Sequence, residues 1–230
     1  SGSLALPRGT VSGVEVTDLR VPFEYAGAPG GYARLTVREA AATAGSGQVR
    51  ADLTADFGTE TRVDGRVRFI NLPLRTIAPS LAETSFFGNG RITGRFDVAG
   101  TRVRSVDDLT GRLIATLNNT SVRELPVLSR AVPFLNRGGL VRPFDAGDVQ
   151  ATLARGVFRV QRLALASPNA QLFAEGTVAL DGRVDLDVVA HVGQVGPDVR
   201  CLRLIGLAIP IAGPVPLTVI RDVTDFVSNR

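Results

Sequence analysis

Apolar and polar residues alternate with a period of two along most of this chain. The clearest run is Arg183 to Val192, where Val184, Leu186, Val188, Ala190 and Val192 fall on one face. Arg183, Asp185, Asp187 and His191 fall on the other, with Val189 the one apolar residue among them. Successive strand side chains point to opposite faces, so the pattern predicts a sheet with one face buried and one solvated. Just upstream, Leu172, Ala174, Gly176, Val178 and Leu180 share a face, and Asp181-Gly182 joins the two runs. Asp-Gly between alternating runs is a strong hairpin signal, because both turn residues must accept positive φ. Val149, Ala151 and Leu153 alternate before a turn at Arg155-Gly156, and Phe158 and Val160 continue toward Leu163 and Leu165. Further strands are expected over 11–21, 32–42, 48–57, 60–69, 90–98 and 109–118, with Asp64-Gly65 a turn or a bulge inside the fourth. Consecutive hairpins of this kind build an antiparallel meander of roughly ten to twelve strands.

Three stretches break the period. Residues 74–81 and 125–135 have apolar spacing closer to helical, and Pro126 and Pro133 limit the second to short turns. The third is the tail from Asp198. Its uncharged stretch 204–220 is nearly long enough to span a bilayer, but Pro210, Pro214, Pro216, Gly206 and Gly213 would interrupt a helix repeatedly. A buried crossover followed by a strand over 215–220, and a helix start over 222–230, fit it better, so no transmembrane helix is expected. The fold class expected is therefore all-β. It is an elongated, curved antiparallel sheet forming a trough or a sandwich, with two or three short helices. Residues 1–230 read as a single elongated domain excised from a longer protein, given the start at Ser1-Gly2-Ser3.

Composition supports a folded domain, with 44% hydrophobic and 21% charged residues among 230. Every basic residue is arginine, the net charge is only +4, and the arginines are scattered along the chain. Nucleic-acid binding calls for a concentrated basic face with stacking aromatics, and aromatics are only 6% here. The single Cys201 excludes an internal disulfide framework and any multi-cysteine metal site.

Candidate chemistry is sparse. His191 shares a strand face with Asp185 and Asp187, a set that could in principle ligate a metal, but the two carboxylates are the solvent side of an amphipathic strand. No nucleophile motif accompanies the histidine. The run Gly88-Asn89-Gly90-Arg91-Ile92-Thr93-Gly94 lacks the lysine and the helix of a phosphate loop. The pairs Asp107-Asp108 and Glu15/Asp18 have no partner in sequence that would tune them for acid-base work. The expectation is a non-enzymatic protein with no catalytic residue, no metal and no cofactor.

Phe87 to Phe96, then Asp108-Leu109-Thr110-Gly111-Arg112-Leu113 and Val122-Arg123-Glu124-Leu125-Pro126-Val127-Leu128, resemble the C-terminal region of AsmA-like proteins. The resemblance lies in a glycine-spaced strand, a leucine-any-glycine strand and a leucine-proline-leucine helix start, and it runs over 88–192. It implies a periplasmic protein of a Gram-negative-type bacterium, anchored to the inner membrane through parts outside this fragment. It also implies a role in outer-membrane biogenesis and homeostasis, binding or conducting phospholipid between membranes along an apolar β-groove.

An apolar sheet face must be covered by another sheet, by helices or by a ligand, and two short helical segments are little cover for so many strands. Acyl chains suit such a face, because non-directional apolar contact needs no dedicated polar residue. The candidate lining is Val149, Leu153, Phe158, Val160, Leu172, Val178, Leu180, Val184, Leu186 and Val188. The expected partner is phospholipid or another acyl-chain ligand, without nucleic acid. The same residues would equally form the core of a structural or interaction β-sandwich. An outer-membrane barrel would need aromatic girdles that two Tyr and no Trp supply poorly.

Overall fold

A computed structural model of the protein describes residues 1–11, 14–28, 31–77, 90–120, 144–168, 170–180, 183–192 and 199–208. They form one antiparallel sheet of twelve strands in strict sequence order. The strands are β1 (Gly2–Val11), β2 (Val14–Ala28), β3 (Tyr32–Ala44), β4 (Gly47–Phe57), β5 (Arg62–Pro73) and β6 (Arg91–Thr101). They continue as β7 (Thr110–Thr120), β8 (Phe144–Ala154), β9 (Val157–Ser167), β10 (Ala170–Ala179), β11 (Arg183–Val192) and β12 (Val199–Ala208). Every pairing joins sequence neighbours, as a chain of consecutive hairpins requires. Among the described residues there is no second sheet, so the sandwich alternative gives way to a single open sheet. A four-residue helix, α1 (Leu74–Ile77), follows β5, and a 3-10 turn (Val106–Asp108) joins β6 to β7.

The turn chemistry matches the turn positions. Arg155 and Gly156 both have positive φ (53° and 70°), the type I′ geometry that suits strand twist, and β8 and β9 pair right up to Ala154–Val157. Gly45 opens the two-residue β3–β4 turn at φ 59°, the position where a II′ turn calls for glycine. The β10–β11 hairpin forms as expected, from Ala170–Val192 to Val178–Val184, while Asp181 and Gly182 lie outside the described residues.

Three expectations are corrected. The strand expected over 11–21 is instead split by a hairpin, in which Val11 pairs Val14 and β1 lies along β2 from Val14 to Phe23. Asp64-Gly65 is neither turn nor bulge: Thr54 pairs Asp64 and Leu53 pairs Gly65 in unbroken register. A Cβ on Gly65 would crowd the Leu53 and Val98 side chains at 3.1 and 3.2 Å. The tail does not leave the sheet at Asp198, because Val199–Ala208 adds β12 to β11, with one extra residue where Val184 and Asp185 pair Leu207 and Ile205. Gly206 is that residue, and glycine tolerates such a bulge. The helical stretch expected at 74–81 is observed as α1 over its first four residues. The expected elements at 125–135, 215–220 and 222–230 lie outside the described residues.

Bulges keep the apolar face continuous where the sequence slips phase. Asp18, Glu39 and Asn71 sit at positive φ (53°, 56° and 54°) beside register shifts in β2, β3 and β5. A side chain across the ladder receives the freed amide: Glu39 N–H donates to Asp52 Oδ1 at 2.9 Å and Asn71 N–H to Thr93 Oγ1 at 2.9 Å. In β9 a bulge at Gln161-Arg162 brings Phe158, Val160, Leu163 and Leu165 onto one side despite the broken alternation.

Candidate functional site

The register sorts the apolar face into transverse rows that cross the sheet. One row runs Phe23, Val37, Leu53, Gly65, Val98, Gly111, Leu153, Phe158, Val178. The next runs Ala40, Ala51, Val67, Phe96, Leu113, Ala151, Val160, Gly176, Leu186. The third includes Val49, Phe69, Gly94, Ala115, Val149, Leu163, Ala174 and Val188, and the fourth includes Val16, Ala44, Leu72, Ile92, Leu117, Leu165 and Leu172. A small residue punctuates every row.

The face is concave. Phe96 on β6 and Phe158 on β9 are separated by two strands, roughly 14 Å across a flat sheet at ordinary strand spacing. Their ring centroids nevertheless lie 5.9 Å apart at an interplanar angle of 52°. Phe96 leans over Gly111 of β7 toward Phe158, so the two rings close over the intervening strands of the curved sheet. Gly111 makes room for the contact, since a Cβ there would come within 2.7 Å of the Phe96 ring. The apolar face is thus the inside of a trough.

Burial is graded along the trough. In the fourth row all seven named side chains are buried, and Leu72, Leu117, Leu165 and Leu172 belong to one contiguous cluster with Phe144, Leu186 and Val188. Leu74 of α1 packs against that cluster, and α1 lies against β2, so the short helix crosses this end of the face. In the first two rows Leu53, Val67, Val98, Phe96, Phe158 and Val178 are only half-buried, while Val37, Ala40, Ala151, Leu153 and Leu186 of the same rows are buried. Toward the β1–β2 margin exposure rises further, to 53% at Leu4 and 62% at Tyr25. The trough is closed at the end where the chain leaves β5, β7 and β11, and open at the other.

The expected lining separates along this gradient. Leu172, Leu186 and Val188 are 0%, 1% and 2% exposed and belong to the packed cluster. Leu153 is buried, while Val149, Phe158, Val160 and Val178 are half-buried on the same face. Leu180 lies past the end of β10, where its amide donates to the Gly156 carbonyl at 2.8 Å. Val184 pairs Val178, and its side chain lies outside the described residues. The lining inferred from the C-terminal half omitted Leu53, Val67 and Phe96, although the alternation in β4, β5 and β6 carries the same signal.

The opposite face is a lattice of compensated charge. Arg34 binds Asp56, which also accepts from the Tyr32 hydroxyl at 3.0 Å; Arg66 binds Asp97; Arg68 lies 3.6 Å from Asp52. A groove of about 760 Å³ crosses β3 to β7, lined by Arg34, Asp52, Arg66, Asp97 and Arg112 together with Val37, Leu53 and Val98 of the first row. The Arg34 and Arg66 guanidiniums, by donating to Asp56 and Asp97, hold both carboxyls below the usual carboxylate range. Asp108 is held low by accepting the Arg104 and Ser105 amides in a capping box with Ser105. A carboxyl depressed in the folded state adds stability that is present above its unfolded range and is lost as pH falls through its folded value. The urea midpoint should therefore drop as pH falls below roughly 4, and D56N/D97N should flatten that dependence. An unchanged slope in the double variant would refute the assignment.

Among the described residues no three His, Cys, Asp or Glu side chains group to hold a metal, and no helix is long and apolar enough to cross a membrane. His191 pairs Gln171 across the ladder, and Asp187 pairs Glu175. No family model, no curated protein and no solved structure matches this chain.

Proposed function

We propose that this protein is a non-enzymatic cell-envelope module that holds or conducts the acyl chains of phospholipid along the concave apolar face of its sheet. The observation that carries this reading is the trough itself: a curved, open sheet whose apolar rows pass from packed at one end to half-exposed at the other. Partly exposed apolar side chains on one continuous face are the kind of surface that an apolar ligand can cover. Burying alkyl chains in it yields roughly 25 cal/mol per Å² of apolar surface removed from water. The resemblance of 88–192 to AsmA-like proteins supplies the setting, namely a periplasmic position, membrane attachment through other parts of the full-length protein, and a part in outer-membrane biogenesis.

Detergent-free protein weighed intact by native mass spectrometry, with a parallel sample extracted into organic solvent to identify the lipid, is expected to carry phospholipid that exchanges with added vesicles. Protein that emerges lipid-free and takes up none from vesicles would overturn the proposal, leaving a structural or interaction module of the envelope.

A further inference from the structure

Arginines scattered along the chain are gathered by the register into one row on the charged face. The row crosses β2 to β6 as Arg20, Ala41, Arg50, Arg68 and Arg95. Arg50 lies directly opposite Arg68, and Arg68 directly opposite Arg95, each pair one inter-strand step of roughly 5 Å apart. Like charges set opposite each other in a ladder destabilise the pairing. The adjacent row shows that this sheet can avoid that cost, because Asp52, Arg66, Asp97 and Arg112 alternate in sign over β4 to β7. A solvated face needs only polar side chains, so arginines in succession beside a compensated row are suited to an anion that the sheet does not itself supply.

The acids nearest the row are already engaged. Asp52 accepts the Glu39 amide through Oδ1 at 2.9 Å and lies 3.6 Å from Arg68 through Oδ2. Asp97 is bound by Arg66 and lies 3.5 Å from Arg95. Arg20, Arg38 and Arg50 are exposed and make no ion pair within 4.0 Å among the described residues. Beside Arg50 the row carries only the small Ala41, and here the face opens into a groove of about 780 Å³ lined by Arg38, Glu39, Ala41, Arg50, Asp52 and Arg68. The β3 bulge brings Arg38 into it, since Arg38 and Glu39 are the two residues between Val37 and Ala40, which pair Leu53 and Ala51. Glu39 is the one carboxylate of the groove without an ion pair. Arg38 and Arg50 outweigh it, and Arg20 and Arg95 add positive charge along the row.

The groove has the volume of a small-ligand site, roughly 300–1,000 Å³. Guanidiniums form bidentate, charge-assisted bonds with oxyanions, and a phosphoryl group carries several acceptor oxygens on one centre, so more than one arginine can hold it at once. We propose that this groove binds a phosphoryl group through Arg38, Arg50 and Arg68. The site lies on the opposite side of the sheet from the apolar trough and does not depend on it. A soluble phosphorylated compound and a lipid headgroup at a bilayer surface share this chemistry, and the two are separated by experiment.

The intact protein is titrated with inorganic pyrophosphate by calorimetry at low ionic strength. In parallel, its retention on phosphatidylglycerol–phosphatidylcholine vesicles is compared with that on phosphatidylcholine alone. R38Q/R50Q should weaken pyrophosphate binding about tenfold, a modest figure suited to exposed charge pairs. R159Q/R162Q removes the same charge from exposed positions of β9 outside the groove and should keep wild-type affinity. Relief of like-charge contact means that R38Q/R50Q should melt no lower than wild type. Phosphatidylglycerol-dependent retention that R38Q/R50Q abolishes assigns the site to a headgroup, and pyrophosphate binding without such retention assigns it to a soluble ligand. A wild type that shows neither, an equal loss in both double variants, or a lower Tm in R38Q/R50Q overturns the proposal.

Discussion

Carboxylates at Leu53 and Val67 empty the trough without unfolding the sheet. Both side chains lie in the open rows and are half-buried, so an aspartate at either position can stay hydrated when no lipid is present. Once an acyl chain covers them, each charge must be desolvated, at about 2.5–3.5 kcal/mol on insertion scales. L53D/V67D should therefore lower lipid occupancy by more than tenfold with an unchanged far-ultraviolet spectrum. The same substitution at Leu186 or Val188 has another meaning. Those side chains are in the packed cluster, and an unpaired carboxylate there is buried whether or not lipid is bound. L186D should fail to fold, and a loss of lipid in that variant would say nothing about the trough. Lipid occupancy equal to wild type in folded L53D/V67D would remove the open rows from the binding surface.

Gly176→Val is expected to be the most damaging single change in the C-terminal half. Gly176 has φ of 140°, and a Cβ there would run into the Asp185 carbonyl oxygen and come within 2.9 Å of Leu186 Cα. Both obstacles are backbone of the neighbouring strand, so no rotamer change relieves them. Backbone strain and forced separation of β10 from β11 together cost about 3 kcal/mol or more, which lowers Tm by roughly 6–12 °C for a chain of this size. Gly31→Ala is the control. Gly31 also has positive φ, at 83°, but a Cβ there meets nothing within 4 Å, so only the conformational penalty of about 1 kcal/mol applies. Equal losses for the two variants in thermal denaturation would show that conformation, and not strand contact, makes Gly176 necessary.

Legibility differed between local and non-local features. The β10–β11 and β8–β9 hairpins were readable because alternation and turn residues act over a few neighbouring positions, as at Val184 to Val192 and Arg155-Gly156. The β1–β2 turn was missed because Ser12-Gly13 sits between Val11 and Val14, and those two valines read equally well as one strand. The bulges at Asp18, Glu39 and Asn71 were invisible for a different reason. At Glu39 and Asn71 the freed amide is received across the ladder by Asp52 and Thr93, and those partners are 13 and 22 residues away.

The alternating side chains by themselves determined an all-β meander with one apolar face, since strand geometry sends odd and even residues to opposite sides whatever lies beyond. They also named much of that face, from Val149 to Val188. Whether the face is flat or curved, packed or open, was decided only in three dimensions. Curvature and the meeting of Phe96, Gly111 and Phe158 span four strands, and burial depends on which side chains from distant strands gather into one cluster. Leu172 and Phe158 look alike in sequence, as apolar residues in alternating strands. One is sealed in the packed end and the other stands half-open in the trough, because accessibility is set by distant parts of the chain that the local pattern does not encode.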